Sequence, residues 1–75
     1  MDINDFIEDF QEILFREEAV TVDMNLADIE EWDSMSIMGI IAWYDKNFQL
    51  SFTFEDFKSL KTVRDVAALC KDIQQ

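Results

Sequence analysis

Within Glu31-Trp32-Asp33-Ser34-Met35 a serine follows an aspartate at the point where the apolar spacing predicts that an amphipathic helix begins. Ser34 would then sit where free backbone N–H groups and the positive end of the helix dipole collect. A phosphate ester on its hydroxyl would meet surroundings already suited to an anion. The same residues have a plainer use, because Asp or Ser before a helix most often does no more than cap it. The rest of the chain has to decide between an attachment point and a cap.

Other chemistry is poorly provided for. The chain has no histidine, no Gly-rich phosphate loop and a single glycine, Gly39. Its acidic clusters lack the glycine that a calcium loop needs at its sixth position. Cys70 is the one cysteine, so neither an internal disulfide nor a paired Cys/His zinc site is available, and its place in an apolar stripe predicts buried packing. A catalytic site is not expected, nor a metal site. Seventeen acidic against six basic residues give a net charge of −11, which argues against nucleic acid and anionic membranes and for partners with basic docking surfaces. The opening residues lack the basic and apolar pattern of a signal peptide, and no apolar run is long enough to span a bilayer. A soluble, cytoplasmic monomer is expected.

Seventy-five residues are read as one domain over 1–75, near the lower limit for a fold without disulfide or metal support. The 49% hydrophobic content and seven phenylalanines predict a bulky core. Ile3, Phe6, Ile7, Phe10, Ile13 and Leu14 follow helical spacing and predict a first helix from about Asp2 to Arg16. Residues 17–33 lose that period and read as a long loop pinned by Val20, Val22, Met24, Leu26, Ile29 and Trp32, with a short turn at Leu26–Ile29. The second helix is expected from about Ser34 to Asn47, with Ile37, Ile40, Ile41, Tyr44 and Phe48 on its core face. Met35, Met38, Gly39 and Ala42 fall opposite, as an adaptable contact surface or as cover for the edge of the loop. Periodicity leaves Trp43 at the boundary of the two faces.

Gln49 to Phe54 alternates like a strand but has no second strand to pair with, so an extended connector is expected. A short helix over Glu55–Leu60 should insert Phe54, Phe57 and Leu60. Thr62-Val63-Arg64-Asp65 resembles a capping box opening a last helix, whose stripe is Val63, Val66, Ala67, Cys70 and Ile73. The expected fold is all-α: a small four-helix bundle of three long helices and one short one, with a long loop between the first two.

This order of elements, with Asp33-Ser34-Met35 at the second helix, Phe48 after it, Leu50-Ser51-Phe52 in the connector and Thr62-Val63-Arg64-Asp65 at the last helix, resembles the acyl carrier proteins along essentially the whole chain. The family's attachment motif is Asp-Ser-Leu, with methionine a common variant. The resemblance implies that Ser34 carries 4′-phosphopantetheine, installed from coenzyme A by a separate phosphopantetheinyl transferase. It also implies that cargo rides as a thioester on the arm's thiol, exchanged with loading ligases or synthases and acyl-transferring enzymes. Asp33 would assist loading, and Met35, Met38, Gly39 and Ala42 would face partners. Trp32 stands where housekeeping carriers usually have a small residue, Ser36 and Gly39 replace residues typically acidic there, and the connector lacks the frequent proline. These departures imply a specialised carrier. Two alternatives stay open: an aminoacyl or peptidyl carrier, and an unmodified acidic helical adaptor for basic partners.

Overall fold

The computed structural model describes residues 1–75. Four helices follow in order, α1 (Ile3–Leu14), α2 (Ser34–Phe48), α3 (Glu55–Lys58) and α4 (Val63–Ala67), with a 3-10 turn at Leu26–Asp28 and no strand. The all-α arrangement is as expected, but two helices are long rather than three. Beyond Ala67 the chain closes by i to i−3 bonds, Leu69 N–H to Val66 O at 3.3 Å and Cys70 N–H to Ala67 O at 3.3 Å. These tight turns still bury Cys70 and Ile73 beside Val63, Val66 and Ala67, so the expected stripe packs without a continuous helix.

α1 is capped by the Asp2 side chain, which accepts from Asn4 N–H at 2.8 Å. It stops short of Arg16 because Phe15 turns left-handed, at φ 55° and ψ 37°. Phe15 N–H then donates to Glu12 O at 3.0 Å and Arg16 N–H to Gln11 O at 3.2 Å, the paired closure of a Schellman motif. Gln49 ends α2 in the same conformation.

The 17–33 loop is held by more than side chains. Leu26 N–H donates to Lys61 O at 2.8 Å, Val63 N–H to Met24 O at 3.1 Å and Arg64 N–H to Val22 O at 2.9 Å, so the loop runs as a backbone partner of the entry to α4. Val20, Leu26 and Ile29 are buried beneath it. The termini are joined in the same manner, with Ile3 N–H donating to Gln74 O at 2.9 Å.

Aromatic rings form a closed circuit through the interior. Phe6 meets Phe10, Phe10 stacks on Trp32 (centroids 5.7 Å), Trp32 approaches Phe57, and Phe57 meets Phe52. Phe52 then meets Tyr44 edge-on at 5.0 Å, Tyr44 meets Trp43, and Trp43 returns to Phe6. Offset and edge-on contacts at these separations stabilise beyond the area they bury. The one polar atom deep in the circuit is satisfied: the Tyr44 hydroxyl donates to Val66 O at 2.6 Å, and burial pushes its pKa upward. Trp43 is half-buried, its Nε1–H donating to Asp9 Oδ2 at 3.0 Å. Phe54, expected inside, is exposed, whereas Phe57 is buried.

Candidate functional site

The start of α2 is built by a reciprocal capping box. Asp33, in extended conformation, accepts from Ser36 N–H at 3.0 Å through Oδ1, while Asp33 N–H donates to Ser36 Oγ at 2.9 Å. The Ser36 hydroxyl proton is directed to Glu31 O at 2.6 Å and shared with the Asp33 carboxylate at 3.0 Å. The Ser36 N–H, and after it the hydroxyl, hold the Asp33 carboxyl below the usual carboxylate range. Ser36 is 6% exposed, so it is not an outward residue like the acidic one that housekeeping carriers typically have there. Its side chain turns under the helix start and locks the turn that presents Ser34.

Ser34 itself is exposed, and the hydrogen bonds of the cap run among Glu31, Asp33 and Ser36 without engaging its hydroxyl. The preceding residue on the loop, Trp32, is wedged between Phe10 and Phe57. One residue earlier, Glu31 accepts from Arg16 Nη1 at 2.8 Å, and that contact lowers the Glu31 pKa. The three residues before Ser34 are therefore tied down in turn, Glu31 to Arg16 just past α1, Trp32 between α1 and α3, and Asp33 to α2. The bulky tryptophan is an anchor of the loop, a role that a small residue could not fill.

On the outward face, Met35 is 79% and Met38 60% exposed, and Ala42 is exposed with them. Gly39 departs from this strip. A Cβ built on it would stand 2.8 Å from the Ile13 methyl Cγ2, so the glycine lies against α1 at a close contact between the two helices. Ser34, Met38, Ile41, Ala42 and Asp45 recur at helical spacing, and the last four border a groove of about 490 Å³ completed by Ser51, Phe52, Thr53 and Phe54. A second cleft of about 360 Å³ lies against the cap itself, lined by Ile13, Leu14, Phe15, Glu31, Asp33, Met35, Ser36 and Gly39. Phe15 at its edge had no counterpart among the sequence-derived candidates, because a residue next to a helical stripe reads as one more turn of helix. No group of three or more Asp, Glu, His or Cys side chains is placed to hold a metal.

The site is thus a helical bundle whose second helix opens on an exposed serine, with Asp33 and Ser36 engaged in holding the turn around it. The comparison with family models gives that arrangement a name. The phosphopantetheine attachment site model matches residues 4–70, and the chain belongs to that family. Its members carry 4′-phosphopantetheine covalently, are in general carriers rather than catalysts, and work with phosphopantetheinyl transferases and with synthases or ligases. No curated protein matches the chain, and no solved structure matches it.

Proposed function

We propose that this chain is an acyl carrier protein, with residues 1–75 forming one carrier domain in which Ser34 bears the 4′-phosphopantetheine arm. The observation that carries the reading is the exposed Ser34 hydroxyl, outside the hydrogen-bonded cap, in a chain whose family is defined by that attachment. The residues fit the group. The hydroxyl is open to a transferase, and the helix start favours the phosphate that would be esterified there. When bound, the arm supplies a terminal thiol that holds cargo as a thioester. The protein's own contribution is to fix the turn through Asp33 and Ser36 and to leave Ser34 outside it. Asp33, with its carboxyl kept ionised by those hydrogen bonds, assists loading by presenting negative charge beside the reacting hydroxyl.

The groove bordered by Met38, Ile41, Ala42, Phe52 and Phe54 starts one helical turn from Ser34 and is largely apolar, which favours an acyl over an aminoacyl cargo. Met35, Met38 and Ala42 form the strip that meets partner enzymes: the transferase, a loading ligase or synthase, and acyl-transferring enzymes with basic docking surfaces. The carrier works as a cytoplasmic monomer. No helix is long and apolar enough to cross a membrane.

Incubation with coenzyme A, magnesium and a broad-specificity phosphopantetheinyl transferase should add one phosphopantetheine by mass. Ser34→Ala should abolish the gain and leave the helical circular dichroism unchanged, because its hydroxyl supports nothing in the fold. A wild-type chain that several transferases leave unmodified would favour the unmodified adaptor instead.

A further inference from the structure

Phe15 is the most exposed large apolar side chain in the molecule, at 92%, and it occupies one of only two left-handed non-glycine positions. Both facts run against the fold. A bulky residue at positive φ is disfavoured where glycine would close the same motif without strain. An exposed ring contributes almost no burial in return. Nothing inside the chain accounts for a phenylalanine here.

Its surroundings do. The ring stands between two clefts, one lined with it by Ile13, Leu14, Met35 and Gly39 at the start of α2, the other by Glu8, Gln11, Glu12, Arg16 and Glu17. Phe15, Ile13 and Met35 make an apolar centre, and Glu8, Glu12, Glu17, Glu31 and Asp33 make its rim. The one cation there, Arg16, is already engaged by Glu31 at 2.8 Å and Glu18 at 3.6 Å. Glu8, Glu12, Glu17 and Asp33 have no cation within 4 Å, and an apolar knob with such a net acidic rim complements an apolar pocket with a basic rim. A second copy of this chain, at net charge −11, would bring acids against acids, and an anionic lipid surface would be repelled in the same way.

We propose that Phe15 is a docking anchor for the enzyme that loads cargo onto the arm, inserting into an apolar pocket bracketed by Lys and Arg while the cap of α2 presents Ser34. The proposal rests on the carrier reading of Ser34 and adds the end of α1 to the partner surface.

The test uses the phosphopantetheine-bearing chain and an acyl-activating or acyl-transferring enzyme that loads it. Phosphopantetheine gain by mass is scored first for wild type and Phe15→Gly. Loading kinetics and melting temperature follow. Phe15→Gly should melt at or above the wild-type temperature, since strain is relieved, yet raise the loading KM roughly tenfold or more with kcat little changed, as loss of an aromatic anchor does. Phe15→Trp should retain most of the affinity, and p-benzoylphenylalanine at position 15 should crosslink to the loading enzyme. Opposed signs in stability and docking are what a merely structural residue would not give. Loading by Phe15→Gly at the wild-type KM, or a KM loss that tracks a fall in melting temperature, would overturn the proposal alone. So would a wild-type dimer in sedimentation that Phe15→Gly dissolves, or binding to phosphatidylcholine vesicles that the variant loses. Absence of any mass gain in wild type would instead overturn the carrier reading, and this proposal with it.

Discussion

Ser36 is the residue on which presentation of Ser34 turns. Its backbone N–H and hydroxyl serve Asp33, and its hydroxyl also reaches Glu31, so removing the hydroxyl leaves the part-buried Asp33 N–H and the Glu31 carbonyl without this partner. Ser36→Ala should cost roughly 1–2 kcal/mol, a loss of about 4–16 °C in melting temperature for a domain of this size. It should also move the Asp33 titration, followed by carboxyl NMR, up toward the ordinary range. The sign for pH follows. Asp33 is held low in the folded state, so the cap's contribution is complete above the ordinary Asp range and is lost as pH falls through the lowered value. The difference in melting temperature between wild type and Ser36→Ala should therefore be largest near neutrality and shrink in acid; a difference independent of pH would mean that the hydroxyl acts through packing alone. Asp33 was legible in the sequence as a cap because its type and place say so. Ser36 was not, because the box closes on serine rather than Glu or Gln, and because its burial depends on how the loop folds back over it.

Between elements, the decisive contact is Gly39 against Ile13. In an isolated helix Ala is better than Gly by about 1 kcal/mol, yet here a methyl group would sit 2.8 Å from the Ile13 Cγ2 methyl, so the β-branched side chain or the helices would have to shift. Overpacking of this kind costs roughly 1–3 kcal/mol, so Gly39→Ala should destabilise, and Gly39→Glu should destabilise further. In an Ile13→Ala background the space opens and Gly39→Ala should become stabilising by up to about 1 kcal/mol. Denaturant unfolding of the four proteins in this cycle reads the sign directly, and additive effects would show that α1 and α2 have room to part. Helical periodicity located α1 and α2 and turned their stripes inward, with Phe6, Phe10, Leu14, Ile40 and Tyr44 buried and the other stripe residues part-buried against them, since that pattern is a property of single elements. It placed Gly39 on the outward strip for the same reason: a glycine carries no hydropathy signal, and close approach is a property of pairs. The short α4 and the pairing of residues 22–26 with 61–64 were hidden too, because both depend on backbone bonds between distant segments. The capping box at Thr62 and Asp65, a local signal, was readable and is present.

At the scale of the whole molecule, charge is the unbalanced quantity. Four of the seventeen acids reach a cation within 4 Å, Glu18 and Glu31 on Arg16, Glu55 on Lys58 and Asp23 on Arg64. Glu17, Asp28, Glu30 and Asp33 on or beside the 17–33 loop have none, and that loop positions the start of α2. The molecule measures 28 × 25 × 20 Å. At about 0.01 M salt the screening length is roughly 30 Å, so every acid feels every other; at about 0.15 M it is roughly 8 Å and only neighbours interact. Raising salt across that range should therefore stabilise the fold, against the usual weakening of the few surface ion pairs, which contribute little individually. We expect the melting temperature to rise by roughly 5 °C, which for a domain of this size corresponds to about 1 kcal/mol. Millimolar magnesium should add to this at matched ionic strength, because a divalent ion concentrates near the unpaired loop carboxylates without needing a built metal cage. The increment should shrink in Glu30→Gln and Asp28→Asn, which thin the loop's charge, and persist in Asp5→Asn on α1. Scanning calorimetry across these conditions decides the matter, and a melting temperature indifferent to both salt and magnesium would show that repulsion among the acids is too diffuse to govern the loop that leads into Ser34.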